Sequence, residues 1–199
     1  MSDQKVAIIT AGGSGMGAAA AKRLAADGFK VAILSSSGKG EALAAELGGF
    51  GVTGSNQSND DLKRLVDGTM ERFGRVDVLV NSAGHGPRAG ILEISDEDWH
   101  KGIDTYLLNV IRPTRLVTPL MQARKSGTII NISTAWVGEP SAMFPTSAVA
   151  RAGRSGWNRR MFVFVRLRAS FFFLAQKRAP GKLGKPCGFP SAHGYAGSP

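Results

Sequence analysis

Short apolar runs alternate along the first part of the chain with segments that have the composition of helices. KVAIIT at 5–10 ends in glycines and leads into AAAAKRLAADG at 18–28, which is rich in strong helix formers. FKVAILSSS at 29–37 repeats the apolar run, and GEALAAEL at 40–47 repeats the helical segment. This order predicts a strand, a tight turn and a helix, twice over.

The alternation continues to residue 134. DDLKRLVDGTMERFG at 60–74 is an amphipathic helix, RVDVLVNSAG at 75–84 is a strand that ends in a polar turn, and GTIINIST at 127–134 is a further strand. Between them a helix is predicted from about Ser95 to Ala123, with SDED supplying its N-cap and an acidic first turn. Apolar strands that alternate with helices predict an α/β fold with three layers, a parallel sheet covered on both faces.

The pattern changes after about Trp157. RRMFVFVRLRASFFFLAQKR at 159–178 combines Phe and Arg without helical periodicity, and a Pro- and Gly-rich segment follows. FVFVRLR at 162–168 has the composition of a strand, but nothing after it resembles a covering helix. We therefore divide the chain into a domain at 1–157 and an atypical tail at 158–199, and expect the C-terminal strands of the sheet to be missing or altered.

The charge distribution marks the same boundary. The net charge is +10, yet all 15 acidic residues lie in 1–139, where 15 Lys and Arg balance them, and the remaining ten Lys and Arg follow without an acid. Our preferred hypothesis is that the tail is an out-of-frame translation. The alternative is a basic arm that binds nucleic acid, but the clustered Phe residues are too apolar for an exposed arm, so no nucleic-acid partner is expected.

Composition limits the classes of protein to which the chain can belong. Hydrophobic residues make up 43% of 199 residues, enough for one sizeable core. No apolar run has the length of a membrane span and the N-terminus lacks a secretory signal, so we expect a cytoplasmic location and no membrane partner. Cys187 alone provides no disulfide framework, and no spacing of His, Cys and carboxylates suggests a metal site.

Three motifs carry the candidate chemistry. Glycines follow the first strand at the place where a parallel sheet binds a nucleotide, as Thr10, Gly12, Gly13, Gly15 and Gly17. This turn resembles the T-G-x-x-x-G-x-G turn of the short-chain dehydrogenase/reductase family, with Ala11 at the first glycine. NSAG at 81–84 resembles that family's N-N-A-G motif, and GTIINIST resembles its strand with the active-site hydroxyl. The resemblance covers residues 5 to about 157.

The resemblance implies a Rossmann domain that binds NAD or NADP, a small-molecule substrate, and assembly into a homo-oligomer. It implies two groups of cofactor-binding residues, the pyrophosphate turn with Gly12, Gly15, Met16 and Gly17, and the adenosine side with Asn81, Ala83 and Gly84. NAD-preferring members have an acid at the end of the second strand. Here Ser35 and Ser36 stand there with Lys39 close behind, so NADP is favoured.

The catalytic positions depart from the family. Its members use a Tyr and a Lys four residues later for proton transfer, a Ser to orient the substrate oxygen, and an Asn on the preceding long helix. Thr134, with Ser133 beside it, falls at the Ser position, and Tyr106 falls at the Asn position, which leaves Asn109 a structural role. Matching the last helix puts Phe144 and Ala148 at the Tyr and Lys positions, and neither titrates.

Two interpretations of this site stay open. The site has degenerated, or it is remodelled with Tyr106 as the proton donor and Arg151 replacing the Lys charge and binding a ribose or a 2′-phosphate. A shifted alignment would pair Ser147 with Arg151 instead; we disfavour it for its placement of Gly153. The predicted function is hydride transfer by an NAD(P)-dependent oxidoreductase. The alternatives are a non-catalytic NAD(P)-binding protein or inactive fragment, and a basic nucleic-acid-binding module.

Overall fold

A computed structural model gives the fold for residues 4–134, 137–138, 140–161 and 168–172. The strands are β1 (Val6–Ile9), β2 (Lys30–Ser35), β3 (Phe50–Thr53), β4 (Val78–Asn81), β5 (Thr128–Ile132) and β6 (Arg168–Phe172). The helices are α1 (Gly15–Ala26), α2 (Lys39–Glu46), α3 (Asn59–Phe73), α4 (Asp96–Ile103), α5 (Asn109–Ala123) and α6 (Pro145–Met161), with a π-helical turn at Asp104–Leu108 between α4 and α5.

Within these residues the six strands form one parallel sheet in the order β3-β2-β1-β4-β5-β6. Ala7 of β1 pairs with Val31 on one side and Val78 on the other, so the first strand lies inside the sheet. The order reverses at β1 and β4, where a doubly wound sheet opens a crevice at the carboxyl ends of its strands. The predicted α/β Rossmann fold is confirmed.

The sequence predicts that the C-terminal strands of the sheet are missing or altered. Among the described residues, β6 follows β5 in the sheet and pairs with it in parallel register over five residues. Helix α6 also continues past the predicted boundary at residue 157. The two hypotheses about the tail concern residues that lie mostly outside the described part of the chain.

The two faces of the sheet carry separate apolar cores. On one face α3 and α5 cover the sheet, and the core there includes Leu62, Leu65, Val117 and Met121. On the other face α1 and α2 pack on β1, β2 and β4 through another set of buried residues that includes Ile9, Ile33, Leu43 and Val80. Among the described residues, no helix is long and apolar enough to cross a membrane.

The long helix predicted for 95–123 is interrupted. Ser95 caps α4 as expected, because its side chain accepts a hydrogen bond from the Asp98 N–H. The π-helical turn then separates α4 from α5 and carries Tyr106 on its buried side. Such turns insert one residue into the helical ladder and are frequent at functional sites.

Asp77 connects chain segments at the amino ends of the strands. Its carboxylate accepts hydrogen bonds from the Val6 N–H at 2.8 Å, from Arg75 at 2.8 Å and from Arg124 at 3.0 Å. Burial alone would raise the pKa of Asp77, but these three donors together hold the pKa below its ordinary value. Asp77 thus joins β1 to the end of α5 as a carboxylate.

Candidate functional site

The glycine turn and the end of β4 are tied together by one hydroxyl. Thr10 Oγ1 donates to the Ser82 carbonyl oxygen at 3.1 Å and accepts from the Ser82 N–H at 3.1 Å. Asn109 Nδ2 donates to the same carbonyl at 3.4 Å, which gives Asn109 the structural role that the sequence indicated. These bonds fix the two walls of the crevice relative to each other.

The turn itself approaches α1 very closely. A Cβ on Gly17 would lie 2.5 Å from the carbonyl oxygen of Ala11, so only glycine fits there. Ala11 has φ 47°, a left-handed conformation in which an alanine is strained. The position at which the family's turn has glycine therefore keeps its backbone conformation in spite of the substitution.

A cavity of about 560 Å³ lies between these walls. Seven of the predicted cofactor-binding residues line it: Gly13, Gly15, Met16, Ser35, Ser36, Ala83 and Gly84. Five others do not line it: Thr10, Gly12, Gly17, Asn81 and Arg151. Thr10 and Gly17 act within the fold as described, and Asn81 is fully buried, donating from Nδ2 to Asn131 Oδ1 of β5 at 2.8 Å.

The lining of the cavity suits an anionic nucleotide. Helix α1 begins at the cavity without an acidic residue in its first turn, and the Ser14 side chain does not cap it. Its first N–H groups and its dipole therefore point to a place where a pyrophosphate is stabilised. No carboxylate lies among the described residues that line the cavity, and the serines at 35–37 supply hydroxyls instead. The residues present thus fit a dinucleotide.

The lining residues that the sequence analysis missed include Asn56, Gln57 and Thr105. Asn56 and Gln57 follow β3, and Thr105 lies in the π-helical turn. Asn56 Nδ2 donates to the Ser82 carbonyl at 3.3 Å, and Gln57 Nε2 donates to Thr105 Oγ1 at 3.1 Å. The polar sequence GSNQ at 54–57 is the signal that could have found two of them, once β3 was recognised.

Tyr106, Ser147 and Arg151 form a cluster beside the cavity. The Arg151 guanidinium lies 4.3 Å from the centre of the Tyr106 ring, and Arg151 Nη1 donates to Ser147 Oγ at 2.8 Å. Tyr106 is 3% exposed, and its hydroxyl accepts a hydrogen bond from the Gly86 N–H at 2.6 Å. Burial lowers the pKa of Arg151 from its ordinary value, and the charge interaction with Tyr106 opposes that effect.

The remaining catalytic candidates lie elsewhere. Ser133 is buried and Thr134 partly buried after β5, and neither lines the cavity. Phe144 precedes α6, because the helix begins at Pro145 and the Ala148 N–H donates to the Phe144 carbonyl. The Phe144 ring lies under Arg88, whereas Arg151 lies over the Tyr106 ring.

Comparison with known proteins gives matches to dehydrogenases and reductases. Residues 5–163 match the family described as short chain dehydrogenase. A 3-oxoacyl-(acyl-carrier-protein) reductase of Synechocystis sp. is 36% identical across 78% of this chain and 66% of the relative. Dehydrogenase/reductase SDR family member 4 of Caenorhabditis elegans is 39% identical across 63% of this chain and 52% of the relative. The chain thus spans between about half and two thirds of the length of these curated relatives.

Proposed function

Because this chain belongs to the short-chain dehydrogenase family, we propose that it binds a nicotinamide dinucleotide and transfers hydride between it and a carbonyl or alcohol of a small molecule. The observation that carries the proposal is the cavity of about 560 Å³ between the glycine turn and the end of β4. When bound there, the dinucleotide would supply the hydride to a carbonyl or accept it from an alcohol. The chain's own residues would hold the pyrophosphate at α1 and the adenosine half at Ala83 and Gly84.

NADP is the proposed cofactor in preference to NAD. The serines at the end of β2 present no negative charge to a 2′-phosphate, whereas a carboxylate there would repel it. Lys39 is the first residue of α2, directly beyond these serines, and adds positive charge on the same side. We also propose a cytoplasmic location and assembly into a homo-oligomer, as expected from the sequence.

Hydride transfer needs a proton donor and a group that orients the substrate oxygen. We assign the second role to the hydroxyls of Thr134 and Ser133, at the end of β5. Tyr106 is the only tyrosine in the described part of the chain and is the candidate donor. For that role its hydroxyl, now bonded to the Gly86 N–H, has to face the substrate.

The buried position of Tyr106 favours a second candidate function, cofactor binding without turnover. A hydroxyl on a side chain that is 3% exposed does not reach a substrate in the arrangement seen here. In the alternative alignment Ser147 and Arg151, which are hydrogen-bonded to each other, replace the family's Tyr and Lys. Neither alignment supplies a phenol on α6.

Two measurements on the whole chain test these proposals. Titration of NADPH fluorescence tests binding, and saturable binding is expected. NADPH oxidation with a 3-oxoacyl thioester, chosen from the printed name of the Synechocystis relative, tests turnover. Turnover at saturating NADPH that Tyr106→Phe abolishes supports hydride transfer with Tyr106 as donor. Binding with no turnover supports the second candidate, and absence of binding contradicts both.

A further inference from the structure

Tyr106 stands between α6 and the loop that follows β4. One face of its ring carries the Arg151 guanidinium, with the Cζ atom 4.3 Å from the ring centre. Its hydroxyl accepts from the Gly86 N–H, and Gly86 lies against the ring edge so closely that a Cβ there would be 2.8 Å from Cε2. The Tyr106 side chain, which comes from the π-helical turn, thus connects helix α6 to the loop that follows β4.

The loop held in this way forms one wall of the cavity. Ser82, Ala83, Gly84 and His85 line the cavity, and Gly86 directly follows them. Residues 82–90 have no regular secondary structure, so side-chain contacts have to fix their position. At one end Thr10 and Asn109 hold the Ser82 peptide. At the other end the Tyr106 hydroxyl holds Gly86.

Arg151 is itself held in place. Its Nη1 donates to Ser147 Oγ one helical turn earlier, and both residues belong to α6. A guanidinium over the face of an aromatic ring contributes about 0.5–2 kcal/mol, with the larger values in desolvated sites. Arg151 does not line the cavity, but its contact with the Tyr106 ring links it to the loop that forms one wall of the cavity.

We propose that Arg151 and Tyr106 are positioning residues for the cofactor cavity: Arg151 fixes the ring of Tyr106, and the Tyr106 hydroxyl fixes the loop that forms the wall. In this role Arg151 strengthens dinucleotide binding without touching the dinucleotide, in place of the direct ribose or 2′-phosphate contact expected from the sequence. The proposal rests on the cofactor binding proposed above and holds whether or not the chain turns over a substrate.

The test uses two variants of the full chain, Tyr106→Phe and Arg151→Met. Tyr106→Phe keeps the ring under the guanidinium and removes the acceptor for the Gly86 N–H. Arg151→Met keeps an unbranched side chain and removes the cation. The matched controls are Arg72→Met, because Arg72 lies 4.4 Å over the Phe50 ring, and Thr69→Val, which removes a buried hydroxyl bonded to the Leu65 carbonyl. None of the control residues lines the cavity.

Two readouts are measured on each variant: the hydrogen-exchange rate of the Gly86 amide by NMR without cofactor, and the dissociation constant for NADPH. A net hydrogen bond or a cation–π contact corresponds to about a threefold to tenfold change in an equilibrium. We therefore expect Gly86 exchange to rise by about that factor in both variants, and the dissociation constant to rise by a similar factor. Arg151→Lys, which keeps a cation, should fall between the wild type and Arg151→Met.

The readouts separate this proposal from the proposed function. Gly86 exchange that changes in neither variant overturns the positioning role, and so does faster exchange with unchanged NADPH affinity. Equal losses of affinity in Arg72→Met or Thr69→Val would show general destabilisation and overturn it as well. A wild-type chain that binds no NADPH refutes the proposed function and the role that rests on it. If Arg151→Met does not fold, the milder Tyr106→Phe decides alone.

Discussion

The two sides of the candidate site differ in how well they keep the features of the family. On the cofactor side, the glycine turn and the end of β4 enclose a cavity and are joined by hydrogen bonds of Thr10 and Asn109 to Ser82. On the α6 side, the residues at the catalytic positions have changed type under either alignment, and Tyr106 is buried against Arg151. The features proposed to bind the cofactor are therefore better kept than those that the family uses for proton transfer.

The cofactor side keeps its geometry even where its sequence has changed. Ala11 adopts φ 47° at the position of the family's first glycine, and the neighbouring Gly12 N–H bonds to the Leu34 carbonyl at 2.9 Å. On the α6 side, Arg151 bonds to Ser147 and lies over the Tyr106 ring. A substitution on the α6 side therefore changes the groups available for proton transfer as well as the stability of the fold.

The largest expected effect comes from restoring the family's pair on α6. Ser147→Tyr with Arg151→Lys places a phenol and an ammonium one turn apart beside the cavity, and a general acid contributes about 10²–10⁴-fold in rate. We expect NADPH oxidation with the 3-oxoacyl thioester to rise toward that factor. The matched control is Phe144→Tyr with Ala148→Lys, which follows the other alignment. A larger gain in the control would show that the Ser147 and Arg151 alignment is wrong.

Removing the Asp77 carboxylate should weaken the amino edge of the sheet, at the opposite end of the strands from the cofactor cavity. Asp77→Asn removes the negative charge and one of the two acceptor oxygens shared by Val6, Arg75 and Arg124, and costs about 1–3 kcal/mol in the free energy of unfolding. Urea denaturation measures the loss. The exposed pair between Arg23 and Asp27 provides the control, since Asp27→Asn should change stability by under about 1 kcal/mol. Equal effects of the two substitutions would contradict the anchoring role of Asp77.

The same carboxylate gives a pH dependence with a defined sign. The folded-state pKa of Asp77 lies below its unfolded value of about 3.9, so its contribution is complete above that pH and is lost as the pH falls through the folded-state pKa. The stability difference between the wild type and Asp77→Asn should therefore shrink on acidification below about pH 4. A difference that stays constant to pH 2 would contradict this.

A smaller effect should appear in the choice of cofactor. Ser36 is exposed and lines the cavity, so Ser36→Asp places a negative charge near a bound 2′-phosphate. At a solvated site, like charges a few ångströms apart repel by about 1 kcal/mol, so the ratio of NADPH to NADH affinity should fall by about fivefold to tenfold. Ser36→Asn is the uncharged control. If both variants change the ratio equally, charge at this position does not determine the preference.

The smallest expected effect is a gain in stability. Ala11→Gly removes the cost of a left-handed alanine, about 1–2 kcal/mol, and adds some entropy to the unfolded chain, so a net gain of about 0.5–1 kcal/mol is expected. Thermal unfolding measures it. Lys125→Gly, at φ 54° after α5, should stabilise to a similar degree without affecting NADPH binding. Destabilisation by Ala11→Gly would show that the backbone at Ala11 is not strained.

Much of the sheet could be predicted because its strands have strong local signals. Buried apolar runs followed by glycines or polar turns identified β1, β2, β4 and β5, and the N-cap at Ser95 followed from SDED. Strand β3 has only four residues with a glycine among them, so its signal is weak. The interruption of the long helix depends on Tyr106 packing against α6, a tertiary contact that local patterns do not contain.

For the same reason, some residues of the candidate site could be predicted from the sequence and others could not. Residues of the glycine turn reach the cavity because they are adjacent in sequence to a strand end, whereas Asn56 and Thr105 reach it only through the sheet order and the π-helical turn. The alignment on α6 rested on the placement of Gly153, and the sequence alone did not show that Ser147 and Arg151 bond to each other within α6.

The most direct test is a thermal melt of the 199-residue chain with and without NADPH and NADH. A ligand that binds only the folded state at a hundredfold excess over its dissociation constant adds about 2.7 kcal/mol, which raises the midpoint by about 5–10 °C in a protein of this size. We expect a cooperative transition that NADPH shifts upward more than NADH does. No cooperative transition, or a midpoint that neither nucleotide moves, would contradict the claim that this chain forms a working dinucleotide site.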